Sequence, residues 1–192
     1  SSDGLSVAIG ATLNDGNGNN SGHVRIYDYN GSAWVQVGGD IDGEAQSDYS
    51  GYSISLSSDG SRVAIGAPSN DGNGNNSGHV RIYDYNGSAW VQAGGDINGE
   101  AQSDNSGYSI SLSSDGSRVA IGAVYNDGTG TNSGHIRIYD FNGSAWVQVG
   151  GDINGQSGSD YSGYSVSLSS NGSRVAIGAK NNDGTGANSG HV

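Results

Sequence analysis

The stretch "NDGNGNNSGHVRIYDYNGSAWVQ", Asn14 to Gln36, returns letter for letter from Asn70 to Gln92. A third copy, Asn126 to Gln148, differs only at Thr129, Thr131, Ile136 and Phe141, swaps that keep shape and polarity. Working outward, Asp3, Asp59, Asp115 and Asn171 mark the same point in successive units, which sets a period of 56 residues. The 192 residues hold about 3.4 such units, so the chain reads as one repeat array over 1–192, with units 3–58, 59–114, 115–170 and a partial 171–192.

Each unit divides into four short strands. In the second unit "GYSISLS" (Gly51 to Ser57) alternates small polar with apolar residues, and "RVAIGA" (Arg62 to Ala67) is almost continuously apolar, as a strand covered on both faces would be. "HVRIYDY" (His79 to Tyr85) alternates again, and Asn86-Gly87 predicts a type I′ hairpin into "AWVQAG" (Ala89 to Gly94). No window carries a helical stripe. The expected fold is therefore all-β, with tandem four-stranded antiparallel blades of a β-propeller as part of a ring or array. A β-solenoid is the alternative, against which the hairpin dipeptides argue.

Strand order also predicts open ends. The chain begins on the second strand of a blade, "LSVAIGA", and stops at "GHV", the start of a third. The succession is three strands, four, four and two, which closes neither a ring of one chain nor a seamless ring of two. This order predicts a window of a longer array, or neighbouring chains that complete the terminal blades.

Composition bounds the partners. Nineteen acidic against seven basic side chains leave a net charge of −12, which repels phosphate backbones and excludes nucleic acid as a natural partner. Cysteine is absent, and no stretch approaches the roughly 18 apolar residues of a membrane-spanning helix. With 36 glycines and 32% hydrophobic residues the chain looks core-poor, but its apolar residues gather in short β-branched runs, which argues against disorder.

Two segments carry the residue types of a calcium site, which takes six to eight hard oxygens. In the first, Asp15, Asn17 and Asn19 alternate at cation-loop spacing, but only the aspartate persists in all later units, as a turn-former would. In the second, "GDIDGEAQSDYSG" gathers Asp40, Asp42, Glu44 and Asp48; it recurs with Asp96, Glu100 and Asp104, then with Asp152 and Asp160. If calcium binds, falling charge from unit to unit predicts falling affinity. His23, His79, His135 and His191 recur singly, with no second histidine or cysteine beside them, so they read as strand-start residues between blades. The arginines are expected to pair with Asp28, Asp84 and Asp140. Trp34, Trp90 and Trp146, each after an Asn-Gly-Ser turn, suit either rim packing or the stacking of a sugar ring. No serine sits in a nucleophile elbow, and every loop is copied, so no catalytic residue is assigned.

At "SGYSISLSSDGSRVAIGAP", Ser50 to Pro68, the sequence resembles the FG-GAP repeat, the blade of integrin alpha-chain propellers and of many secreted microbial proteins. Serine stands at Ser50, Ser106 and Ser162 where that family has phenylalanine, and Gly-Ala-Pro is literal only at Gly66-Ala67-Pro68. The family's calcium loop lies between the first two strands, where this chain has only "SSDGS", so that site is not carried over. The resemblance implies an extracellular or cell-surface propeller used for adhesion. The expected function is a non-enzymatic adhesion or structural scaffold, with a multivalent carbohydrate-binding propeller as the alternative. Its partners would be a protein or glycan ligand, or further copies of the repeat.

Overall fold

The computed structural model describes residues 1–192. It is all-β, with no helix, and its strands fall into four successive antiparallel sheets. The first holds β1 (Ser6–Ala11), β2 (His23–Tyr29), β3 (Trp34–Gln36) and β4 (Ile41–Asp42). The second holds β5 (Ser53–Leu56), β6 (Arg62–Ala67), β7 (His79–Tyr85), β8 (Trp90–Gln92) and β9 (Ile97–Asn98). The third holds β10 (Ser106–Leu112), β11 (Arg118–Ala123), β12 (His135–Phe141), β13 (Trp146–Gln148) and β14 (Ile153–Asn154), and the fourth β15 (Ser162–Leu168) and β16 (Val175–Ala179). The array is open, with strands in the order the repeat implies.

Two details differ from the sequence reading. The outer strand is longer than "AWVQAG": β8 and β9 both pair with β7, through Tyr83–Gln92 and Val80–Ile97, and Gly94-Gly95 bulge out between them. They are two halves of one fourth strand, so Asp42 lies on a strand rather than in a loop. The Asn-Gly turn is also not a two-residue one. Tyr85 pairs with Trp90 across a loop of Asn86 to Ala89. Only Gly87 has positive φ, +95°. The Asn86 carboxamide oxygen accepts from the Ser88 and Ala89 amides, an Asx turn that widens the loop.

The core lies between sheets rather than within one. Ile82, Val80 and Ile97 of the second sheet pack on Ile110, Leu112, Val119 and Ile121 of the third. Val24, Ile26 and Ile41 of the first meet Val63 and Ile65 of the second. Neighbouring sheets approach closely through their first and second strands, and their fourth strands stand further apart. The sheets fan out from the first strands, as blades do, with "VAIGA" one strand out and the tryptophan strand at the rim.

Candidate functional site

The seam between blades is built from positions that every unit repeats. A Cβ on Gly66 would run into the carbonyl oxygen of Gly107, on the next blade, and into Ser53 Oγ; Gly122 stands likewise against Gly163 and Ser109. Close backbone approach, not an unusual dihedral, is what requires glycine here. Ser53 Oγ donates to Gly107 O at 2.6 Å, and the Ser58 amide to Ser114 O at 2.8 Å, a bond repeated from Ser114 to Ser170. Arg62 pairs with Asp84 across β6 and β7 and reaches over to Gly116 O at 2.9 Å; Arg118 repeats this with Asp140 and Gly172. The expected Arg–Asp pairing holds for these two. Arg25 and Arg81 turn instead to Asp40 and Asp96.

The acidic segment is divided by the fold. Asp40 accepts a bidentate pair from Arg25, at 2.8 and 2.7 Å, and a bond from Gln36. The Arg25 and Gln36 hydrogen bonds hold its carboxyl down at about 2. Glu44 crosses to the second blade, where it meets Arg81 at 2.7 Å and faces His79 and Asp96. Glu100 makes the same crossing to Arg137, His135 and Asp152, and Gln156 stands at that place in the third unit. Asp48, Asp104 and Asp160 are buried and accept from Asn70, Asn126 and Asn182. They serve as loop anchors and lie apart from the other acids.

Three mixed groups result that could hold a metal ion: His23, Asp40 and Asp42; Glu44, His79 and Asp96; Glu100, His135 and Asp152. In all three a guanidinium already stands among the carboxylates: Arg25 on Asp40, Arg81 on Glu44 and Asp96, and Arg137 on Glu100. His79 and His135 are only 3% and 1% exposed. Burial, then the neighbouring Arg81 and Arg137, push both imidazoles below the ordinary 6.5. The carboxylates at 4.0 and 3.8 Å pull the other way but do not prevail, because desolvation of the cation outweighs attraction across that distance.

The tryptophans point between blades. Trp90 Nε1 donates to Val37 O of the preceding blade at 2.9 Å, and Trp146 Nε1 to Ala93 O at 2.9 Å. Trp34, on the first blade, is 49% exposed and stacks on Tyr29.

The sequence reading missed an aromatic row at the other end of the sheets, near the inner strands. Tyr52, Tyr108 and Tyr164 follow one another from blade to blade as tilted rings, with centroids 5.0 and 5.3 Å apart. Tyr49 and Tyr125 flank them, and together with Thr12, Pro68, Ser69 and Asn105 they line a cleft of about 310 Å³. One sequence signal was available. The pairs Thr12-Leu13, Pro68-Ser69, Val124-Tyr125 and Lys180-Asn181 occupy the same two repeat positions, and no other position differs in every copy.

Comparison with known proteins agrees with this architecture. Residues 41–83 match the FG-GAP repeat family, which supports the reading of these units as FG-GAP-like repeats. Among solved structures, a candidate 6-phosphogluconolactonase of Bacteroides fragilis aligns with TM-score 0.55 and 13% identity over 80% of this chain and 37% of its own. Another, from Bacteroides uniformis, aligns with TM-score 0.57 and 11% identity over 84% of this chain and 42% of its own. At such identity the likeness concerns the fold, and the chain spans about two fifths of those proteins' length. Among curated proteins none matches by sequence.

Proposed function

We propose that this chain is a non-enzymatic, extracellular β-propeller module that serves as an adhesion scaffold. The observation that carries the reading is the division of labour among repeat positions. Seam glycines, arginines and serines are copied from unit to unit, while the two positions after each "VAIGA" change every time and sit at one end of the blades. A rigid β framework that varies its loop residues at one end is how binding surfaces are built on stable folds. The FG-GAP match supports an extracellular setting. No helix is long and apolar enough to cross a membrane.

Adhesion of beads coated with the chain to cells and to extracellular matrix proteins tests the reading. Attachment should exceed that of uncoated beads and fall when Tyr52, Tyr108 and Tyr125 are changed together to alanine. Attachment no better than bare beads would reject it.

Carbohydrate binding is the second reading. The tyrosine row favours it more than Trp90 and Trp146, whose indole N–H groups are already engaged. Calcium belongs to the proposal only at the first mixed group: Arg25 holds Asp40 there, but Asp42 carries no arginine and its carboxylate lies beside the Asn14 carboxamide oxygen around Gly16. The equivalents of Asp42 are Asn98 and Asn154, which offer less charge.

A further inference from the structure

We infer that the cleft between the second and third blades is a subsite for one ring of a neutral glycan, with Tyr108 as its stacking platform. The inference rests on the proposed scaffold and names the ligand class of its divergent end. Every residue that lines the cleft is uncharged, in a chain whose net charge is −12. An ionic ligand finds no counter-charge there. What the cleft offers is aromatic faces from Tyr49, Tyr52, Tyr108 and Tyr125, and hydroxyl or carboxamide groups from Ser69 and Asn105. That pairing matches a sugar, whose C–H face packs on a ring while its hydroxyls both donate and accept. A cleft of about 310 Å³, with four tyrosines among its eight lining residues and a few polar groups, is of the size small-ligand sites take.

Two further features point to these rings as a working surface. Tyr49 and Tyr161 hold φ of +53° and +54°, a left-handed conformation that a bulky side chain adopts at a cost of about 1 kcal/mol or more, while the sister loop satisfies the same turn with Asn105 at +54°. A tyrosine is kept where asparagine would relax the backbone, so its ring is there for what it presents. At the next seam, Lys180 Nζ lies 4.2 Å from the Tyr164 ring and 5.2 Å from Tyr161. There a side chain of the protein covers the aromatic faces. At the cleft between the second and third blades the corresponding positions are Val124 and Tyr125, and the space is open.

The test is a titration of isotope-labelled protein with glucose, mannose, galactose and their short neutral oligosaccharides, read by amide chemical shifts and calorimetry. At least one series should shift the amides of Tyr52, Ser69, Asn105, Tyr108 and Tyr125. Tyr108→Ala or Tyr125→Ala should weaken binding by about 10-fold or more, a hot-spot loss, while Tyr108→Phe and Trp34→Ala keep it. Tyr125 is 39% exposed, so its truncation leaves the fold to report binding alone. No shift with any saccharide, affinity unchanged in both alanine variants, or a proline-rich peptide that perturbs these amides where sugars do not, would overturn the inference. Coated beads that adhere without saccharide binding would sink it and leave the scaffold standing; saccharide binding without adhesion would do the reverse.

Discussion

"VAIGA" occurs four times in this chain, and the four copies live in different surroundings. In β6, Val63 and Ile65 are 0% and 2% exposed, between sheets on both sides. In β1, Val7 and Ile9 are 37% and 51% exposed, although the letters are the same and the cross-strand register to "HVRIYDY" is the same. β16 resembles β1, with Ile177 only half-buried. Local sequence therefore sets strand and hairpin, and the neighbouring blade supplies the burial. A repeat of this kind is stable as a member of a stack, its energy a sum of its own terms and those of its interfaces.

The largest effect should come from filling the seam. Gly122→Val forces a side chain into the Gly163 carbonyl and should cost at least about 3 kcal/mol or abolish folding. Gly178→Val meets only Ser165, on the paired strand β15 of its own sheet, and should cost about 1–2 kcal/mol. Equal loss in the two variants, measured by denaturant unfolding, would contradict the contrast. Core truncation repeats it: Ile121→Ala should destabilise by about 2–4 kcal/mol and Ile9→Ala by less than about 1 kcal/mol.

Indole hydrogen bonds sharpen the comparison at the rim. Trp146→Phe leaves Ala93 O without its donor and should cost about 1 kcal/mol. Trp34 makes no such bond, and Trp34→Phe should change stability by less than about 0.5 kcal/mol.

Much of this was legible in the letters, for reasons that differ by residue. The 56-residue period and the alternation of "HVRIYDY" report backbone geometry directly, so strand order and the open array could be read. The division of the acids could not. Asp40, Asp42, Glu44 and Asp48 are close in sequence, but the Gly38-Gly39 bulge and the return to β5 send them to separate partners, Arg25, Arg81 and Asn70 among them. The tyrosine row was hidden for the opposite reason. Tyr52 and Tyr108 are 56 residues apart, and only blade-on-blade stacking brings their rings to 5.0 Å.

Acid should loosen the inner seams. His79 and His135 titrate below 6.5 when folded, so as pH falls past 6.5 the unfolded chain takes up protons first. Their contribution is complete above that value and lost on acidification towards the folded-state value, against the weaker pull of Glu44, Asp48 and Asp96 on His79. Asp40, at about 2 when folded and 3.8 otherwise, adds a second loss between those values. The double variant His79→Asn, His135→Asn should flatten the fall in melting temperature as pH drops below about 6.5; an unchanged slope would remove the histidines from the account.

Calcium should have the smallest effect. Its addition should raise the melting temperature by a degree or two, about the size of a sub-kcal/mol stabilisation, and Asp42→Asn should abolish the rise. A rise that survives in that variant would place the ion elsewhere.

Hydrogen exchange at the four "VAIGA" strands tests the central claim most directly, because the variable pairs that follow them let each copy be followed separately. The account predicts slow exchange at residues 63–67 and 119–123, and exchange faster by orders of magnitude at 7–11 and 175–179. Equal protection of all four would mean that each sheet is stable by itself, and would contradict a fold held together by its seams.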